Sequence, residues 1–187
     1  MTRPTSRRFR RADLAHGADH VLVPTATFTD AATSSFAASF GSASALRAFL
    51  DLVSHYPAAP TSTVCMFLKP RGYTPPPFAP PEFVPSSLYF DLDRAAGFAA
   101  AAMLIIDANG ESHQWLTQGA TSREDLKLVM DPDNPDFSLF PADSAVPVRQ
   151  LLDAVVEWAF TDALPPAAVT WRRATEDEVG WPVGAGY

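Results

Sequence analysis

Residues 88–117 constrain the fold more than any other stretch of the chain. Leu88-Tyr89-Phe90-Asp91-Leu92-Asp93 places apolar side chains at every second position, residues 98–106 are almost wholly apolar, and Asp107-Ala108-Asn109-Gly110 separates that run from residues 111–117. A period of two marks a strand, because successive side chains point to opposite faces of a pleated sheet. Asn-Gly readily adopts the positive φ angles of a tight hairpin turn. Three antiparallel strands in a meander are therefore expected, the middle one central and buried on both faces. Its four consecutive alanines, Ala99 to Ala102, leave room for a helix to pack closely.

The period changes on either side of the meander. With Ser42 or Ser44 as N-cap, Leu46, Phe49, Leu50 and Val53 fall at i, i+3, i+4 and i+7, so residues 44–54 read as an amphipathic helix that ends before Pro57. Pro147 suits the first position of a second helix, whose stripe is Val148, Leu151, Leu152, Val155, Val156 and Ala159, ending before Pro165-Pro166. Further strands are expected at 20–28, with Pro24 confining that one to an edge or bend, at 62–68 and at 169–171. Residues 126–130 and 137–140 read as short extended pieces. The expected class is α+β: a mainly antiparallel sheet built on the central meander, with two principal helices packed on one face.

A chain of 187 residues, 47% of them hydrophobic and 19% charged, can bury one sizeable core without a metal or disulfide staple. Residues 1–19 read as a flexible basic tail, 20–174 as a single domain and 175–187 as a C-terminal tail. Within the domain, residues 70–85 hold seven prolines, too many for a helix or central strand, and form a long extended loop. Ser6-Arg7-Arg8-Phe9-Arg10-Arg11 resembles a twin-arginine signal, but no apolar export segment follows. The apolar run at 95–106 is too short to span a bilayer, which takes about 20 residues. Cys65 is the single cysteine and is expected to be a buried small hydrophobe in a reducing, cytoplasmic setting.

Formal charge is −7, yet five arginines precede the first acid, Asp13. From Asp13 onward the chain holds nine basic residues against 21 acidic ones, a net −12. A field of that sign repels phosphate backbones and attracts cationic proteins, so a nucleic-acid partner is not expected.

Few residue patterns here ask for catalysis. His16 and His20 have i, i+4 spacing but lack a third ligand, and Asp131, Asp133 and Asp136 lack the glycine and distal Glu of a calcium loop, so no metal is expected. There is no Gly-x-Ser-x-Gly elbow, phosphate-binding loop or dinucleotide-binding glycine pattern, so no cofactor and no enzymatic role are expected. The alternatives are a small hydrolase or lyase using Asp91, Asp93 and His113, and an adaptor module using an apolar patch around Tyr73, Phe78 and Phe83. Trp115, Trp158 and Trp171 are candidate interface anchors, with Trp171 expected in the core.

One ordered series of features remains: the Leu88 to Asp93 strand, the apolar strand from Phe98, the Asn109-Gly110 turn, Phe140-Pro141-Ala142-Asp143-Ser144 with Val146-Pro147, the helix from Leu151 to Phe160, and Pro166-Ala167-Ala168-Val169-Thr170-Trp171. Over residues 85–173 this series resembles immunity protein family one of bacterial polymorphic toxin systems, with the 44–54 helix matching loosely. Where that family usually has a Thr-Gly pair after the helix, this chain has Thr161-Asp162-Ala163-Leu164. The resemblance implies a small, non-enzymatic, cytoplasmic protein that protects a cell by binding a cognate toxin domain, often a nucleic-acid deaminase. A toxin that acts on nucleic acid needs a cationic cleft, and an acidic body would dock there and exclude substrate. The expected contacts are Asp131, Asp133, Asp136 and Asp143 first, then Asp91, Asp93 and Glu111, with Trp115 as an apolar anchor.

Overall fold

The computed structural model describes residues 8–14, 22–29, 35–55, 64–70, 86–130, 139–175 and 178, with the backbone alone described at 22–29, 35–37, 67, 69 and 70. The meander forms as expected. Strands β5 (Ser86–Asp93), β6 (Phe98–Ile106) and β7 (Ser112–Thr117) pair antiparallel in sequence order, and Gly110 turns between the last two at φ 81°. Strands β2 (Leu22–Thr29), β3 (Ser35–Ser39) and β4 (Val64–Pro70) extend the sheet past β5, and β10 (Trp171–Arg173) closes it beyond β7. The order is β10-β7-β6-β5-β4-β2-β3, and β8 (Val146–Pro147) also pairs with β6. Pro24 pairs across to Leu68 of β4, one residue before the β2–β3 ladder begins at Thr25. The strand thus has a neighbour on one side only where the proline lacks its N–H.

Helices α1 (Ala43–His55) and α2 (Val148–Phe160) lie on one face of the sheet, as their stripes dictate. Leu46, Leu50 and Val53 of α1 join Leu151, Val155, Trp158 and Ala159 of α2 over Leu88, Phe90, Leu92, Ala99 and Ala101. Ser42 caps α1, its Oγ accepting from the Ala45 N–H at 3.3 Å. Pro147 is one residue earlier than expected, in the N-cap position with α2 starting at Val148. The four alanines divide by the pleat: Ala99 and Ala101 meet the helical core, while Ala100 and Ala102 face a second cluster with Leu116, Leu128, Met130, Phe140 and Ala145. The irregular chain between β7 and β8 supplies that second layer.

Three expectations are corrected. Residues 8–14 do not belong to a free tail: β1 (Phe9–Arg10) pairs with β9 (Ala163–Leu164), and Phe9 and Leu14 are fully buried. Phe9 is a single apolar side chain inside a basic run, and a charge-based reading passes over it. Arg11 continues it, its guanidinium donating to the carbonyls of Trp158, Ala159 and Thr161 and so capping the C-terminus of α2. Cys65 is only partly buried, on the sheet face away from the helices. The last strand begins at Trp171 and not at Val169, which is buried just ahead of it. Residues 71–85 of the proline-rich loop and His16 and His20 lie outside the described residues.

Candidate functional site

The second layer is fastened to the sheet by polar groups with specific jobs. β7 pairs with β6 over Ala102–Ile106 and β8 pairs with the same edge at Phe98 and Ala99, so a gap opens at Ala101. Thr117 fills it: its Oγ1 accepts from the Ala101 N–H at 3.0 Å and donates to the Ser144 carbonyl at 2.7 Å. The side chain thereby stands in for a missing stretch of strand. Next along the chain, the Gly119 N–H donates to the Asp143 carbonyl at 2.6 Å, so close that a Cβ there would collide with the Ala145 carbonyl oxygen. Arg172 of β10 forks onto Glu178 with two 2.8 Å contacts and reaches Asp143 at 3.1 Å. The Arg172 guanidinium holds the Glu178 carboxyl down to about 2, well below its ordinary 4.5.

Asp91 anchors the same layer from beneath. It is 1% exposed, and its two oxygens accept the N–H groups of Leu92 at 2.8 Å and Val129 at 2.7 Å. Val129 in turn bridges Leu139, and the Phe140 N–H donates to the Leu128 carbonyl at 2.8 Å. Asp131, Asp133 and Asp136 fall between these bridged positions in the sequence. These three aspartates themselves lie outside the described residues.

A second polar centre sits at the far end of the meander. Asp107 and His113 are buried beneath the β6–β7 turn, with His113 Nε2 and Asp107 Oδ2 3.1 Å apart. Asp107 Oδ1 accepts the N–H groups of Asn109 at 2.9 Å and Glu111 at 3.1 Å. The bond with His113 holds the Asp107 carboxyl below its ordinary value, against the opposing effect of burial. Phe9 lies against the His113 ring at 4.7 Å, and the Ala108 N–H donates to the Asp13 carbonyl at 2.8 Å. The N-terminal segment is thus tied both to this turn and to the end of α2. Alternation along 112–117 marks His113 as inward-facing, but its partner Asp107 resembles an ordinary turn residue.

The sequence-derived contact residues separate into groups. Asp91 and Trp115 are each 1% exposed, and so neither offers a surface to a partner. Asp91 reads as the polar face of a half-buried strand, but the second layer covers that face; Trp115 packs in the helical core with Arg173 over its ring at 4.4 Å. Trp158 is also core, its Nε1 donating to Ser86 Oγ at 3.1 Å. Asp93 is half-buried and caps the β5–β6 turn, accepting from the Ala96 N–H at 2.8 Å. Asp143 is half-buried beside Arg172, and Glu111 is exposed. Asp91 and His113 occupy opposite faces of the sheet, Asp91 opposite Ala100 in the second layer and His113 opposite Ile105 in the helical core. Those two groups do not converge in one hydrolytic site.

Fold and anchoring define an α+β protein whose main antiparallel sheet carries helices on one face and a fastened irregular layer on the other. The chain belongs to the family described as Immunity protein Imm1, whose model matches residues 37–173. Membership supports an immunity function and a toxin as partner. No curated protein matches the sequence. A solved structure titled as a hypothetical protein from Neisseria gonorrhoeae is similar over 81% of this chain and 94% of that chain, at 8% identity and a TM-score of 0.48. Among the described residues, no helix is long and apolar enough to cross a membrane.

Proposed function

We propose that this protein neutralises a cognate polymorphic toxin domain by binding it, that the toxin is of the nucleic-acid deaminase type, and that binding occludes the toxin's cationic active site without catalysis. The family match over 137 of the 187 residues carries this reading. Charge supports the mode of docking. From Asp13 onward 21 acidic residues stand against nine basic ones, a net −12. The docking groups of this reading are Asp131, Asp133 and Asp136, with Glu111, Asp93 and Asp143 secondary. Acidic groups steer a basic partner into contact and raise its association rate.

The test is growth of cells expressing the toxin domain encoded beside this gene, with and without this protein. Rescue by the wild type and its loss in the Asp131→Asn, Asp133→Asn, Asp136→Asn triple variant, at equal folded protein, are the expected results. Failure of the wild type to protect would sink the proposal.

A further inference from the structure

Three metal-ligating side chains meet at the tip of the β6–β7 hairpin. One carboxylate oxygen each from Asp107 and Glu111 and a ring nitrogen of His113 lie within 4.8 Å of one another. The 3.1 Å between Asp107 Oδ2 and His113 Nε2 matches the separation of two ligands on one ion at bond lengths of about 2.0–2.2 Å.

Two observations set this group apart from a solvated acidic cluster. First, two of the three ligands are buried and oriented by the protein itself. Asp107 Oδ1 is occupied by the N–H groups of Asn109 and Glu111, which leaves Oδ2 as the oxygen turned to His113. Outer hydrogen bonds of this kind are what fix a ligating carboxylate. The Phe9 ring packed on His113 restrains the imidazole in the same way. Second, an imidazole nitrogen joined to two carboxylates favours first-row transition ions over magnesium or calcium, which prefer oxygen alone. Glu111 completes the set from an exposed position, and its backbone is pinned on both sides, donating its N–H to Asp107 Oδ1 and accepting the Asp107 N–H at 3.0 Å. Only its side-chain torsions need change to close on an ion.

We infer that Asp107, Glu111 and His113 form a binding site for a divalent first-row transition ion. The ion takes the place of the hydrogen bonded between Nε2 and Oδ2, and the neutral ring, which carries one proton throughout, holds it on Nδ1 in the bound state. Asp107 also bridges Leu14, so the bound ion tightens the hold of the hairpin on the N-terminal segment.

The experiment uses tag-free full-length protein stripped with a chelator and titrated with zinc chloride in a calorimeter. The expected result is one ion per chain and a melting temperature raised by several degrees at saturation. Because His113 is buried and its removal risks the fold, the decisive variant is Glu111→Gln at the exposed ligand. It should melt like the wild type without metal and bind zinc at least about tenfold more weakly. The chain has four histidines, and a His16→Ala, His20→Ala, His55→Ala variant keeps His113 alone and should bind as the wild type does. The inference is overturned by no binding at zinc up to about 1 mM, by equal affinity in Glu111→Gln, or by loss of the site in the triple histidine variant.

Discussion

At the scale of single residues, the second layer depends on side chains whose jobs are not hydrophobic. Thr117→Val keeps the shape but leaves the Ala101 N–H and the Ser144 carbonyl buried without partners, at a cost of about 1–3 kcal/mol. Thr117→Ser retains the hydroxyl and should recover most of that loss, as urea denaturation of the pair will show. Gly119→Ala should cost a comparable amount, because the new Cβ forces the Ala145 carbonyl away from its present place. Glu178 makes a pH-dependent contribution. Its carboxyl is depressed from 4.5 to about 2, so the stabilisation is complete above the unfolded value and is lost as pH falls from about 4.5 through about 2. In urea midpoints measured from pH 2 to 6, the gap between wild type and Glu178→Gln should be widest at the upper end and close toward the lower.

At the scale of elements, both helices end on an arginine from elsewhere in the chain. Arg94 Nη2 donates to the Val53 carbonyl of α1 at 2.6 Å, and Arg11 gathers three carbonyls at the end of α2. A fork is needed for the latter, so Arg11→Lys should speed amide exchange at 157–160 while leaving the middle of α2 protected. Asp91→Ala should free the Val129 N–H and speed exchange at 126–130 in the same assay. Strands β5 to β7 and both helices were legible in the sequence because their periodicity reports a face buried by the element itself. Strand β3, with Ser-Phe-Ala-Ala-Ser and no alternation of charge, carried no such signal. Docking of Phe9 and Leu14, and burial of Asp91 beneath a layer some 40 residues later in the chain, are long-range events that local pattern does not encode. For the candidate site, the sequence named Glu111, which the structure leaves exposed, and Asp93 and Asp143, which it leaves half-buried. It misplaced Asp91 and Trp115, since alternation says that a strand has two faces but not that both are covered.

At the scale of the whole molecule, the main sheet is covered on both faces, by the helices on one and by the second layer on the other. Val129 and Leu139 bridge one another, and the buried Asp91 carboxylate accepts the Val129 N–H; the proposed docking residues Asp131, Asp133 and Asp136 fall between those two positions in the sequence. Salt screens exposed charges within about 10 Å at 0.1 M, which gives the docking mode a direct signature. The most direct measurement is the association rate of this protein with the purified toxin domain encoded beside it, followed from low to high salt for the wild type and the triple variant at Asp131, Asp133 and Asp136. The account predicts tight binding, an association rate that falls by at least about tenfold with added salt, and a triple variant that binds more slowly with a flatter salt dependence. Tight binding at a rate indifferent to both salt and the three aspartates would contradict acidic docking, and absence of binding would contradict the immunity mechanism itself.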